Sequence, residues 1–226
     1  MSLLTKENWK TTKGEEKGWT TYILYLNPHS LNSKGVNLCP YSTKECRSCC
    51  LVSAGRMKFS NALASRKRKT ELFLANPRLF LKELNIELLK LRIKAIEGEK
   101  IAVRLNGTSD IEWEKHINML EYPEIQFYDY TKIPNRFDLP KNYHLTFSFS
   151  GHNWRHAKEY LDKGFNVSVV FEKEIPETFK EYPVINGDED DLRFLNGNSK
   201  IIGLKFKKVK NPIKGKFVHD TTRIEN

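Results

Sequence analysis

Length, composition and charge limit what this chain of 226 residues can be. A chain of this size can bury a substantial core, but no apolar run reaches the roughly 18 residues of a membrane span, which excludes a transmembrane protein. The N-terminus has no secretion signal, so we expect a cytoplasmic protein, and the net charge of +10 favours a polyanionic partner such as nucleic acid or a nucleotide.

The hydrophobic pattern predicts a single domain over residues 1–226 that begins with a polar leader over 1–19. Residues 20–28 form a β-branched and aromatic run that an Asn-Pro pair ends, so a buried strand is expected there. A cysteine-rich loop covers 39–56. Two helices follow, one from about Asn61 and one from Pro77, because proline suits the first helical turn.

Short apolar runs alternate with helical stretches beyond residue 98. Strands are predicted over 100–105, 125–130, 143–149, 166–171, 183–185 and 200–206. Helical stretches are predicted over 113–121 and over 154–163, the latter ending at Gly164. This alternation predicts an α/β fold with mostly parallel strands, and the spacing favours a (β/α) barrel or partial barrel over a doubly wound sheet. Residues 211–226 are expected to form a C-terminal tail.

All four cysteines lie in the cysteine-rich loop, too close together to link distant parts of the fold. Thiols at this density are typical of a zinc site or of three ligands to an iron–sulfur cluster. We predict Cys39, Cys46 and Cys50 as metal ligands, with Cys49 as the bystander, because adjacent side chains point in different directions. Nearby lysines and arginines are expected to lower the thiol pKa values. A group of buried reduced cysteines, or a disulfide formed during handling, is the alternative.

Polar turns at predicted strand ends supply candidate catalytic and cofactor-binding residues. After the strand over 100–105, Asn106, Gly107 and Ser109 could bind a cofactor, while Asp110 and Glu112 could transfer protons. Ordinary capping of a following helix explains the same residue types equally well.

Two further strand ends carry candidates. Asp129 and Lys132 could serve as a base and an electrostatic clamp, or could form a structural salt bridge. Ser148 and Ser150 close the strand over 143–149 and are candidate cofactor ligands. The acidic residues 188–191 could bind Mg²⁺ or a ribose, or could be an exposed turn.

Two basic stretches carry much of the excess positive charge and are predicted to bind nucleic acid. Their members are Arg66, Lys67, Arg68 and Lys69 after the cysteine loop, and Lys205, Lys207 and Lys208 after the last strand. If the sheet closes, both stretches border one mouth and could hold a phosphate backbone. A solvated lysine-rich surface is the alternative.

These motifs resemble those of the phage "gene product 88"-like family over most of the chain. The resemblance rests on Asn27-Pro28, the cysteine loop with Gly55-Arg56, the runs 104–111 and 128–132, Ser148-Phe149-Ser150, and Gly187-Asp188 with Asp191. The family has no settled activity, so the resemblance implies relatives and a phage-infected bacterial host rather than a reaction.

The order of strand, cysteine loop, long helix and polar turn is also similar to the opening of radical SAM enzymes. That similarity implies a [4Fe–4S] cluster, with S-adenosylmethionine bound by the turn at 106–110, although the C-x6-C-x2-C-C spacing differs from the usual C-x3-C-x2-C. An enzyme acting on nucleic acid or a nucleotide is therefore the leading hypothesis.

Two alternatives stay open. A weaker similarity to tRNA-guanine transglycosylase-like barrels implies a base-modifying enzyme with structural zinc, in which Asp110 and Asp129 serve as nucleophile and base. The other alternative is a non-catalytic, zinc-stabilised nucleic-acid-binding protein.

Overall fold

Strands and helices alternate along the chain in the computed structural model, which describes residues 2–6 and 15–220. The strands are β1 (Leu4–Thr5), β2 (Trp19–Leu24), β3 (Lys100–Arg104), β4 (Ile125–Thr131), β5 (Tyr143–Ser148), β6 (Asn166–Phe171), β7 (Thr178–Phe179), β8 (Tyr182–Asn186), β9 (Ile201–Lys205) and β10 (Val218–His219). The α-helices described in full are α1 (Lys44–Ser48), α2 (Ser60–Ala75), α3 (Pro77–Ile96) and α4 (Trp154–Asp162). Within the described ranges, no helix has the length and apolar character needed to cross a membrane.

One ten-stranded sheet joins these strands in the order β1-β2-β3-β4-β5-β6-β9-β8-β7, and β10 pairs with β6. Two short pairs, β1 with β2 and β7 with β8, are antiparallel. The other pairs are parallel, which confirms a mostly parallel α/β sheet. The path has two ends, so a closed barrel is not confirmed, and the partial barrel stays a prediction.

Helix α3 packs on one face of the sheet, against β3 and β4. Its side chains Phe80, Leu84 and Leu88 are fully buried in one cluster with Val103 of β3 and Phe127 of β4. Each such side chain contributes roughly 1.5–3 kcal/mol by leaving water. Helix α3 begins at Pro77 as predicted, after an N-cap residue whose side chain accepts a helical N–H.

Helix α4 covers the same sheet further along. Tyr160 and Leu161 pack in a second cluster with Val167 and Phe171 of β6. The helix ends at Asp162, and Gly164 follows with a φ of +89°, a left-handed conformation that suits glycine after a helix. The predicted helix end is therefore confirmed.

The predicted helical stretch over 113–121 is wrong. This segment forms two 3₁₀ turns, Trp113–Lys115 and Met119–Glu121, instead of a helix. Trp113 and Met119 are both fully buried, and the Trp113 indole donates a hydrogen bond of 3.1 Å to Asn106 Oδ1. The segment therefore follows its buried anchors rather than helical periodicity.

Both ends of the chain contribute to the sheet. Leu3 and Leu4, in the predicted polar leader, are buried in the core, and their N–H groups donate to the Glu87 carboxylate at 2.5 and 2.9 Å. The predicted C-terminal tail supplies β10, and before it the Ile213 N–H donates to Ser48 Oγ at 2.8 Å. The tail therefore crosses the cysteine loop. Residues 1, 7–14 and 221–226 of these two predicted segments lie outside the described residues.

Candidate functional site

The cysteine loop is fastened to the turn that follows β3. The Asp110 N–H donates to the Leu38 carbonyl at 2.9 Å, and the Cys39 thiol lies 3.7 Å from the Thr108 carbonyl. The His29 N–H points at Cys39 Sγ from 3.3 Å. Because β2 and β3 are parallel neighbours, these contacts place the loop at the carboxyl edge of the sheet, where α/β folds place their sites.

Lys132, at the end of β4, lies among the cysteines. Its ammonium lies 5.9 Å from the centre of the Phe217 ring. It also interacts electrostatically with Cys46, Asp110 and Cys39. Burial lowers the pKa of Lys132, but these groups outweigh burial and raise the pKa above its ordinary value. Cys50 interacts electrostatically with Cys46, Cys39 and Lys132. The three cysteines predicted as ligands therefore share one neighbourhood.

Cys49 faces the C-terminal segment. Its side chain is buried in a small cluster with Phe217 and Val218, and its thiol lies 3.5 Å from the Ile213 carbonyl. Cys49 also interacts electrostatically with Cys46 and Cys50, so its role as the bystander stays a prediction.

The thiols of Cys39 and Cys50 are more basic than the nearby cations led us to expect. Burial raises the pKa of Cys39 to about 12, although the His29 N–H and Lys132 oppose the shift. Burial also raises the pKa of Cys50, against the charges of Lys132 and Arg66. The predicted lowering is therefore wrong for these two cysteines, because loss of water outweighs the neighbouring positive charges.

The thiols are not arranged as a finished metal site. In residues 2–6 and 15–220, no group of three or more His, Cys, Asp or Glu side chains could hold a metal ion. All four cysteines are free thiols rather than a disulfide. Thiols are suitable ligands for a soft metal or a cluster. In this structure, however, the thiols are not placed so that three of them could bind one metal ion.

The turn at 106–110 uses several of its predicted ligand-binding groups to hold its own shape. Asn106 Oδ1 accepts hydrogen bonds from Ser109 Oγ at 2.9 Å and from the Trp113 indole at 3.1 Å. A Cβ at Gly107 would lie 2.6 Å from the Tyr25 ring, so only glycine fits there. Asn106, Gly107 and Ser109 therefore shape the site.

Asp110 and Asp129 both tie strand ends together, but in different surroundings. Asp110 accepts from Thr131 Oγ1 at 2.8 Å and from the Lys132 N–H at 2.7 Å, and its charge acts on Cys39. Asp129 accepts from the Asn106 N–H at 2.7 Å and from Tyr143 Oη at 3.0 Å. Burial raises the pKa of Asp110 and raises that of Asp129 to about 7. Of these two aspartates, Asp110 is the one that acts on a cysteine, Cys39.

The other candidates after β3 and β5 have local partners. Glu112 forms an ion pair of 2.8 Å with Lys115 on the surface. Ser148 Oγ accepts from Ser168 Oγ at 3.2 Å, and the Ser150 N–H donates to Asn153 Oδ1 at 2.7 Å. Both serines lie near the carboxyl end of β5.

The first basic stretch is divided between the surface and the interior of α2. Arg66 and Lys69 are only 2% and 3% exposed, and Lys69 Nζ donates to the Leu3 carbonyl at 2.6 Å. Lys67 and Arg68 are exposed. Only these last two positions on α2 are open to a nucleic-acid backbone.

The second basic stretch follows β9. Lys205 and Lys208 are exposed, while Lys207 is half-buried. The Lys205 N–H donates to Asp188 Oδ2 at 2.7 Å. From this stretch the chain continues to the contact between Ile213 and the cysteine loop.

Sequence reasoning missed a buried ionic network. The sequence pattern indicated an exposed turn or an ion site for Asp191. Instead, its carboxylate accepts hydrogen bonds from Arg104 at 3.0 Å, from Tyr128 at 3.1 Å and from Tyr130 at 3.4 Å. Asp190 pairs with Lys17 at 2.5 Å. Polar or aromatic residues at every second strand position were the available signal, since such residues share one face of a sheet.

Two surface clefts lie apart from the cysteines and from the turn at 106–110. One, of about 450 Å³, is lined by residues that include Ile175, Val184 and Lys205. The other, of about 380 Å³, is lined by residues that include Lys17 and Lys200. No cysteine and no residue of the 106–110 turn lines either cleft.

Comparison with known proteins adds one finding. The family model described as "Gene product 88" matches residues 2–222, which include the cysteine loop and the polar turns at the strand ends. Searches of curated proteins and of solved structures gave no match.

Proposed function

The chain belongs to the Gene product 88 family, and we propose that it is an enzyme that takes up an iron–sulfur cluster and acts on nucleic acid or a nucleotide. The proposed cluster ligands are Cys39, Cys46 and Cys50. The observation that carries the proposal is the gathering of these three thiols around the Lys132 ammonium, with Asp110 beside it. A cation in this position stabilises thiolates and the negative charge of a thiolate-bound cluster.

The fit of a metal group to these residues is one of chemistry rather than of finished geometry. Thiols are the ligands of iron–sulfur clusters and of structural zinc. Because burial raises the pKa of Cys39 and Cys50, uptake of a metal must displace protons from thiols that are otherwise neutral. It must also draw the three cysteines closer together. When bound by three cysteines, such a cluster would supply electrons and would leave one iron free to bind a further ligand.

The neighbouring residues have separate roles in this proposal. Lys132 neutralises the thiolates and orients a negatively charged group of the substrate. Asp110, fixed by the Lys132 N–H, exchanges a proton at its carboxylate with the bound molecule. Asp129 supports the turn through the Asn106 N–H and acts as a positioning residue.

The substrate class is proposed from charge. The chain carries a net charge of +10, and Lys67, Arg68, Lys205 and Lys208 are exposed. Exposed cations of this kind hold phosphate groups. We place this activity in the cytoplasm of a phage-infected cell, on a sheet that curves as a partial barrel.

The experiment is cluster reconstitution without oxygen on the full chain and on single Cys→Ser variants. Substitution of Cys39, Cys46 or Cys50 is expected to abolish the visible charge-transfer absorption of the cluster. Cys49→Ser is the matched control, because this proposal assigns Cys49 no bond to the cluster, and it is expected to load like the unmodified chain. Equal loading of all four variants would overturn the ligand assignment.

A reaction test separates the enzyme from its alternatives. The loaded chain is incubated with S-adenosylmethionine and a reductant, and cleavage products are measured with Asp110→Asn as the comparison. Cleavage that the variant loses supports an enzyme of the proposed kind. Zinc uptake without iron, together with salt-sensitive DNA retention and no turnover, would instead support the zinc-stabilised binding protein.

A further inference from the structure

Arg66 is held inside the protein beside the cysteine group. It lies on α2, and the next turn of that helix contacts the segment just after β2, because Thr70 Oγ1 accepts from the Asn27 N–H at 2.7 Å. Only 2% of Arg66 is exposed. Its guanidinium interacts electrostatically with Cys50 and Tyr25. A positive charge is therefore fixed at the carboxyl edge of the sheet.

The hydrogen bonds of this guanidinium are incomplete. Nη1 donates to the Met57 carbonyl at 2.9 Å, whereas Nε and Nη2 have no partner among the described residues. Buried polar groups almost always have partners, and an unpaired buried charge is costly. Arg66 forms no ion pair with a carboxylate in the described part of the chain.

The two unpartnered nitrogens share one edge of the guanidinium. On this edge the Nε–H and one Nη2–H run parallel, which is the geometry that binds both oxygens of a carboxylate or phosphate. Nη1, on the other side of the guanidinium, is held by its hydrogen bond to the Met57 carbonyl. The free edge is therefore oriented in advance.

We infer that Arg66 is the anchor for an oxyanion, a carboxylate or phosphate group of a small molecule bound beside Cys50. The residue serves a bound molecule inside the site rather than a nucleic-acid backbone on the surface of α2. This inference deepens the proposed function by assigning one contact of its substrate or cofactor. It rests on the proposed function only for the identity of that molecule, since the free guanidinium edge exists without any metal.

The test measures anion binding on the full chain after a chelator has removed any metal. Inorganic phosphate and acetate are titrated separately, and two quantities are followed: the thermal unfolding midpoint and the rate at which N-ethylmaleimide labels Cys50, with Cys49 as the internal reference. The variants are Arg66→Met, which removes the charge, and Arg66→Lys, which keeps the charge but lacks the pair of parallel N–H donors. Arg68→Met, an exposed position on the same helix, is the matched control.

At least one anion is expected to raise the midpoint and slow the labelling of Cys50 in the unmodified chain and in Arg68→Met. Arg66→Met should need at least about tenfold more anion for the same effect. The anion concentration that Arg66→Lys needs should lie between those of the unmodified chain and Arg66→Met. An effect of phosphate alone identifies a phosphate ligand, and an effect of acetate alone identifies a carboxylate.

The inference is overturned if neither anion has an effect, or if Arg66→Met responds like the unmodified chain. If Arg66→Met does not fold, the comparison of Arg66→Lys with the unmodified chain decides. If the chain loads a cluster normally but binds no anion, only the role of Arg66 is rejected. If the chain binds an anion through Arg66 but loads no cluster, only the proposed cluster is rejected.

Discussion

Asp129 should make the stability of this protein depend on pH in a direction opposite to that of most carboxyl groups. The side chain is 1% exposed, and burial raises its pKa from 3.8 to about 7. Between these values the unfolded chain has lost the proton that the folded chain still holds. The free energy of unfolding therefore falls as pH rises from about 4 to about 7, and this contribution is constant above and below that window.

The magnitude follows from the same two pKa values. At about 1.4 kcal/mol per pH unit, a pKa raised from 3.8 to about 7 corresponds to roughly 4 kcal/mol. Asp129→Asn removes the titration but keeps the shape. Its amide oxygen can accept from the Asn106 N–H, and its NH₂ can donate to Tyr143 Oη.

The assay is urea denaturation of both proteins at half-unit steps between pH 4 and 8.5. Subtracting the two stability curves cancels the other titrating groups, and the advantage of Asp129→Asn should grow by about 4 kcal/mol across the window. The exposed Asp138→Asn is the control and should change nothing of this kind. Parallel curves for Asp129→Asn and the unmodified protein would refute the reasoning.

Three further substitutions test the packing and the polar contacts by the change in unfolding free energy. Lys69→Met leaves the Leu3 carbonyl unpaired and should cost about 1–3 kcal/mol, whereas the exposed Lys67→Met should stay within about 0.5 kcal/mol; equal effects would contradict the buried hydrogen bond. Asn106→Ala loses the hydrogen bonds that hold the 106–110 turn and should cost about 3 kcal/mol, and a loss under about 1 kcal/mol would show that the turn holds without them. Leu84→Ala opens a cavity beneath the sheet and should cost about 2–5 kcal/mol, so a neutral result would place this residue outside the core.

Patterns that act locally predicted the fold well. The strand over 166–171 has the predicted bounds, because its β-branched residues are buried between neighbouring parallel strands. Helix α3 begins at Pro77, since proline both fits the first turn and ends what comes before. Whether a sheet closes into a barrel depends on contacts between distant segments and could not be derived from periodicity.

Predictions from sequence patterns failed where tertiary contacts decide the structure. The segment over 113–121 follows the burial of Trp113 and Met119, which no helical propensity encodes. Half of the basic stretch on α2 points inward, where Lys69 donates to the Leu3 carbonyl and Arg66 to the Met57 carbonyl. For the candidate site, the spacing of the cysteines suggested three ligands and one bystander, but it could not show that Lys132, from a strand more than eighty residues later, would lie among them.

The central claim is that the cysteine group takes up an iron–sulfur cluster. The most direct test is the content of iron, acid-labile sulfide and zinc per chain, measured on protein purified without oxygen. The account predicts about four irons and four sulfides per chain and little zinc. A chain that carries no iron and no sulfide, either as purified or after reconstitution, would contradict it.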